Sequence, residues 1–170
     1  MHKNKGFTLI ELVVVIVILG ILTATVLPKY IDLTDDARIA KVEANAGALR
    51  AGVKLANLKW RVLGSPASFS QRDNIQLYGS NVSGQIDINP QGFPAQSYPG
   101  SDVIISTDND DDCLSLWQAL IQNGNSNAAV DNSAEFIVSY EGGNSCSYKL
   151  TEKVAFGFSY DATTGKVELL

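Results

Sequence analysis

The chain has 170 residues, 45% of them hydrophobic and 18% charged, with a net charge of −5. That length suits one domain with a real core, or one domain carrying an appendage. The negative balance gives nucleic-acid binding no global support, and the single histidine, His2, lies too near the N-terminus to serve a triad or zinc site in a chain processed beyond it.

Lys3 and Lys5 precede an apolar run, Phe7 to Leu27, whose polar residues are Thr8, Glu11, Thr23 and Thr25. As a helix this run spans roughly 30 Å, the thickness of a hydrocarbon core. Its Val and Ile content favours a strand in water. In lipid the backbone must satisfy its own hydrogen bonds, so a helix is predicted. The lysines should stay cytoplasmic and leave the C-terminal part outside. A secretory signal with an n-region of Met1–Lys5 and an h-region of Leu12–Leu22 is the rival reading. Two features oppose it: an acid at Glu11, and helical periodicity that continues past Leu27.

Beyond the apolar run, Ile39, Val42, Ala46, Leu49, Val53, Ala56, Trp60 and Leu63 recur at spacings of 3 and 4, one apolar stripe on a helix. Arg38, Lys41, Arg50, Lys54 and Arg61 fall off the stripe. Small residues (Ala40, Ala44, Gly47, Ala48, Ala51) widen the packing surface. The prediction is a hydrophobic helix over 7–28 and an amphipathic half over 29–63, with Pro28 kinking or locally melting the junction. Asp32, Thr34 or Asp35 is expected to cap the second half. The stripe suits either a coiled-coil partner or the chain's own sheet. The sheet is favoured, because the remaining sequence supplies one. Gly64-Ser65-Pro66 ends the helix.

Residues 64–170 form the head. The stretch 64–112 is rich in Gly, Pro, Ser, Asn and Gln and reads as a long variable connector with short strands at Ile75–Tyr78, Gln85–Ile88 and Val103–Ser106. Phe69, Tyr78, Phe93 and Tyr98 are expected to anchor it to the core rather than to bind sugar. No catalytic constellation appears, so an enzyme is not expected. The run Asp108-Asn109-Asp110-Asp111-Asp112 invites a calcium loop, but an EF-hand would want Gly at 113 and Glu at 119, where the chain has Cys113 and Ala119. The preferred reading is an acidic cap on a short helix over 113–122, with Leu114, Trp117, Leu120 and Ile121 on one face. No metal site is predicted.

The region 135–170 reads as antiparallel strands: Glu135–Tyr140, Ser145–Leu150, Ala155–Tyr160 and Lys166–Leu170, in two hairpins around Glu141–Asn144 and Asp161–Gly165. Cys113 and Cys146 both follow the apolar run, and an even pair in an exported domain reads as one disulfide, two buried thiols being the alternative. Charge is segregated along the chain. Residues 29–72 hold eight Lys/Arg, whereas 73–170 hold thirteen acids against Lys149, Lys153 and Lys166.

Gly6-Phe7-Thr8-Leu9-Ile10-Glu11 and the apolar stretch after it resemble the processing motif of type IV pilins. The resemblance covers about the first thirty residues. It implies a leader of residues 1–6, a cut between Gly6 and Phe7 by a prepilin peptidase, and methylation of the new Phe7 amine. Gly20 and Pro28 fall where that family places a helix glycine and a helix-loosening proline. The longer string Val13–Arg38 is similar to the mannose-sensitive haemagglutinin (MSHA) group of pilins. The implied fold is α+β, a long N-terminal helix packed on a four-stranded antiparallel sheet with a disulfide stapling the C-terminal region. The implied role is a structural subunit, with no cofactor. Its partners would be other copies of itself, the peptidase/N-methyltransferase, and the inner-membrane assembly machinery. It would reside first in the inner membrane and then in a surface filament for adhesion. Glu11 would pair with the Phe7 amine of a neighbouring subunit, because either charge alone is costly in lipid or a dry core. A type II secretion pseudopilin, and a minor pilin or tip adhesin of the same pilus, are the alternatives.

Overall fold

The computed structural model describes residues 6–100, 104–121 and 127–170 and divides into two units, 1–40 and 41–170. Residues 1–5 of the expected leader, 1–6, therefore lie outside the described residues. Helix α1 runs from Leu9 to Val62. In the first unit it follows non-helical Gly6, Phe7 and Thr8 and is helical through both Gly20 and Pro28. The helical assignment is therefore not interrupted at either position. A glycine costs a helix interior only about 1 kcal/mol. A proline removes one N–H from the ladder, and the turns on either side continue. Because the helix does not restart, no cap is needed. Thr34 Oγ1 instead donates to the Tyr30 carbonyl at 2.8 Å and Asp35 pairs with Arg38 at 3.1 Å, while the Asp32 side chain is outside the description.

In the second unit α1 buries Val42, Ala46, Leu49, Val53 and Ala56 in the core, as the 3-4 spacing dictates. Leu63, at the end of the predicted stripe, is exposed. The helix ends with Ser65 N–H on the Trp60 carbonyl and Gly64 N–H on the Arg61 carbonyl, a Schellman pattern that satisfies the last turn.

The stretch predicted as a connector is more ordered than its composition suggests. It holds α2 (Phe69–Arg72), β1 (Ile75–Gln76), a 3-10 turn (Val82–Gly84), β2 (Gln85–Ile88) and β3 (Pro94–Gln96). The strands form an antiparallel sheet in the order β1-β2-β3. Ile75, Ile86, Ile88 and Ala95 are buried. Arg72 is buried too, its guanidinium donating to the Ile88 carbonyl at 2.8 Å and the Ala67 carbonyl at 3.3 Å. The strand expected at Val103–Ser106 is not formed by its described residues, Ile104–Ser106. Val103 lies outside the description.

Helix α3 spans Asp110–Leu120, three residues earlier at its start than predicted. Gln122 is outside the described residues. A second sheet follows, with β4 (Ala128–Ala129), β5 (Phe136–Gly142), β6 (Ser145–Leu150), β7 (Lys153–Asp161) and β8 (Lys166–Leu169) in sequence order. The predicted four-stranded antiparallel sheet is therefore corrected to five strands. The added strand, β4, pairs with β5 in parallel. The β5–β6 hairpin turns through Gly143 and Asn144, both at positive φ (59° and 64°), the conformation that a two-residue hairpin requires.

Trp117 of α3 sits over the inner face of this sheet. Its ring centroid lies 4.8 Å from Phe136, 5.3 Å from Tyr148 and 6.0 Å from Phe158. Such aromatic pairs add about 0.5–1.5 kcal/mol each beyond area burial. The buried hydroxyls are satisfied: Tyr148 donates to the Cys113 carbonyl and Tyr160 to the Pro94 carbonyl. Helix α3 also approaches α1 at Gly52, where a Cβ would stand 2.9 Å from both the Leu120 Cβ and carbonyl oxygen. Only glycine allows that approach without displacing backbone.

Candidate functional site

The N-terminal segment presents an apolar surface that the rest of the molecule leaves uncovered. Leu9–Val26 has a mean hydropathy of 2.8, is long and apolar enough to cross a membrane, and has none of its residues buried within the molecule. Such a surface needs lipid or protein around it. Thr23 and Thr25 do not compromise it, since their hydroxyls donate to the Leu19 and Leu22 carbonyls of the same helix. That leaves Glu11 as the one charged side chain in the span.

Local geometry positions Glu11. Thr8 is the residue before α1, and its backbone N–H and Oγ1 both donate to Glu11 Oε2, at 2.9 and 2.8 Å. The Glu11 N–H approaches Thr8 Oγ1 at 3.4 Å. This is a reciprocal capping box, and its signature Thr8-Leu9-Ile10-Glu11 is legible in the sequence although the sequence reading overlooked it. Glu11 Oε1 has no hydrogen-bond partner among the described residues, and the residue is exposed. Just ahead, Gly6 and Phe7 are exposed and non-helical. Their peptide bond lies outside the helical ladder and is sterically open.

The head carries the other expected residues. Cys113 at the start of α3 and Cys146 of β6 are joined by a disulfide with Cα atoms 5.5 Å apart, and both are fully buried. The acidic run is a helix start. Asn109 is the N-cap of α3, its Oδ1 accepting from the Asp112 N–H, while Asp112 Oδ2 accepts from the Asn109 and Asp108 N–H groups. Three acids in the first turn also suit the positive end of the helix dipole. That is why the helix begins at Asp110 rather than Cys113. Among the described residues, no group of three His, Cys, Asp or Glu is arranged to hold a metal ion. Tyr98 ties the earlier stretch to this corner by donating to Asp112 Oδ1 at 3.0 Å, and Tyr78 donates to the Ala119 carbonyl.

Burial lifts the Asp112 carboxyl above its ordinary range, against the opposing pull of its hydrogen bonds from Asp108, Tyr98 and Asn109. A carboxyl raised in the fold is easier to protonate there than in the unfolded chain. Its ionisation therefore weakens the fold as pH rises from the unfolded value through the raised one. Asp108 has the opposite sign: bonds from Ser106 and Asn109 lower it, so its contribution is lost as pH falls through its folded value. The stability difference between the native chain and Asp112→Asn should thus move in the native chain's favour between neutral and mildly acid pH. Thermal melts of the full chain in detergent would read this. A constant or opposite difference would refute the burial assignment.

Residues 1–27 match the family model described as the prokaryotic N-terminal methylation motif. The chain is 53% identical over 57 residues to a Thermus thermophilus protein named type IV narrow pilus major component PilA5, covering 34% of this chain and 49% of that protein. It is 41% identical over 85 residues to the type IV major alpha-pilin of Moraxella bovis, covering 49% and 53%. A further relative, type II secretion system core protein G of Pseudomonas aeruginosa, is 39% identical over 57 residues, covering 34% and 40%. The chain thus spans about half the length of the first two of these relatives. No solved structure shows a significant match. Residues 1–27 carry the methylation motif, and over part of its length the chain is similar to type IV pilins.

Proposed function

We propose that this chain is the precursor of a structural subunit of a type IV pilus. The observation that carries the reading is a methylation motif running directly into an apolar helix with every side chain outward and a single acid near its head. A peptidase would cut the exposed Gly6–Phe7 bond and the new Phe7 amine would be methylated. Before assembly, α1 would anchor the chain in the inner membrane with the head outside. In the filament, the same face would pack among other copies, and Glu11 Oε1 would take the Phe7 ammonium of a neighbour. Lipid and a filament core present the same low dielectric, so one apolar surface serves both. The Val13–Arg38 string supports the mannose-sensitive haemagglutinin group within the family, and the inner-membrane assembly machinery is the implied partner. The Cys113–Cys146 bond would keep the head intact outside the cell.

Intact mass spectrometry of sheared surface filaments tests this. The expected subunit begins at Phe7, carries one added methyl group and lacks two hydrogens for the disulfide. A filament fraction without this chain would overturn the reading. The similarity to a type II secretion core protein supports a second reading, a periplasmic pseudopilin. In that case the processed chain would stay with the envelope and be absent from sheared surface material.

A further inference from the structure

We infer that the outward face of α1 in the second unit docks the acidic corner of the head of another copy; this rests on the pilus-subunit reading. The helix has a second apolar stripe, Ala44, Ala48, Ala51, Leu55, Leu58 and Val62, at spacings of 4, 3, 4, 3 and 4. It lies on the side of the helix opposite the buried stripe. Leu55 and Leu58 are each 49% exposed and Val62 is 83% exposed. Lys54 and Arg61 flank this stripe on one side and Lys59 on the other. None of the three makes an ion pair among the described residues.

The complementary surface is the start of α3. Asp108, Asp110 and Asp111 are exposed there, beside the exposed Ile104. They too form no ion pair among the described residues. Within one head these acids are set apart from the point where α3 meets α1. That contact is at Leu120, the last residue of the helix, and α3 is about 16 Å long. Neither surface is ion-paired among the described residues, and the basic-apolar face and the acidic corner complement one another between chains. Two different surfaces that fit each other make a heterologous contact, which propagates into an open filament rather than closing into a dimer.

Two measurements on the full chain, expressed as the sole major subunit, decide the matter. Lys54→Glu with Arg61→Glu, or Asp108→Lys with Asp111→Lys, should each lower filament yield by about tenfold or more, since like charges are then juxtaposed. The four substitutions together should restore it. A photo-crosslinker at Leu58 should capture the 104–111 segment of a second copy in native filaments. Undiminished yield from both one-sided variants overturns the inference. So does a crosslink to lipid or to another surface, and this holds even if the swapped variant fails to fold. In those cases the pilus reading stands, provided that native filaments form and Glu11→Ala removes them. Absence of native filaments overturns both.

Discussion

Glu11→Ala is expected to leave cleavage between Gly6 and Phe7 intact and to abolish stable filaments, and Glu11→Gln is expected to do the same. The second variant is the informative one. Glu11 already has a role inside its own chain, as the reciprocal partner of Thr8 in a capping box. If that were its whole purpose, glutamine would replace it, because glutamine serves at this position of a capping box. Losing the box altogether costs about 1 kcal/mol. The proposed ion pair with a neighbour's Phe7 ammonium is a different matter. Removing one partner of a buried pair costs about 3–5 kcal/mol, roughly 10²–10⁴-fold at each subunit contact. Only the carboxylate's charge meets that demand, and Oε1 is the oxygen left over for it. The yield of sheared filaments, together with the mass of the processed chain in the membrane fraction, reads both effects. Normal piliation by Glu11→Gln would reduce Glu11 to a helix cap.

The second large effect lies in the head. Replacing Cys113 and Cys146 by alanine should cost about 3–4 kcal/mol, from the loop-closure entropy of a 33-residue separation. Domains hold only about 5–15 kcal/mol in total, so this is a large share. The bond ties the start of α3 to β6, directly beneath the Trp117 cluster. Its loss should therefore loosen the acidic corner as well as lower the denaturation midpoint. Denaturant melts of the oxidised and reduced full chain in detergent, with the double alanine variant alongside, measure it. A loss below about 1 kcal/mol would show that the aromatic packing holds this corner unaided.

The parts of the molecule legible in the sequence are those that repeat. The 3-4 spacing from Val42 to Ala56 identified the buried face of α1, and alternation along Phe156, Phe158 and Tyr160 located β7. The parts that were not legible carry no period. Two alanines at 128–129 pair in parallel with β5, and nothing in their pattern announces a strand. The β1-β2-β3 sheet lies within a Gly-, Pro- and Asn-rich stretch whose strands have two to four residues. Arg72 is buried with its guanidinium donating to the Ala67 carbonyl five residues back and to the Ile88 carbonyl of β2, an arrangement invisible to hydropathy. The capping box is carried by the local pattern Thr8-Leu9-Ile10-Glu11, a signature that hydropathy does not register.

By itself, the sequence determined what depends on local order: the methylation motif, an apolar run long enough for a membrane, the amphipathic stem, the hairpins and the segregation of charge. Only the tertiary structure decided how distant pieces meet. It set the five-strand order, placed Trp117 over Phe136 and Tyr148, and showed which face of α1 remains uncovered. The physical reason is that helix and strand periods follow from neighbours a few residues apart. Burial, pairing partners and leftover surface arise only after loop closure brings residues such as Gly52 and Leu120, far apart in the chain, into contact.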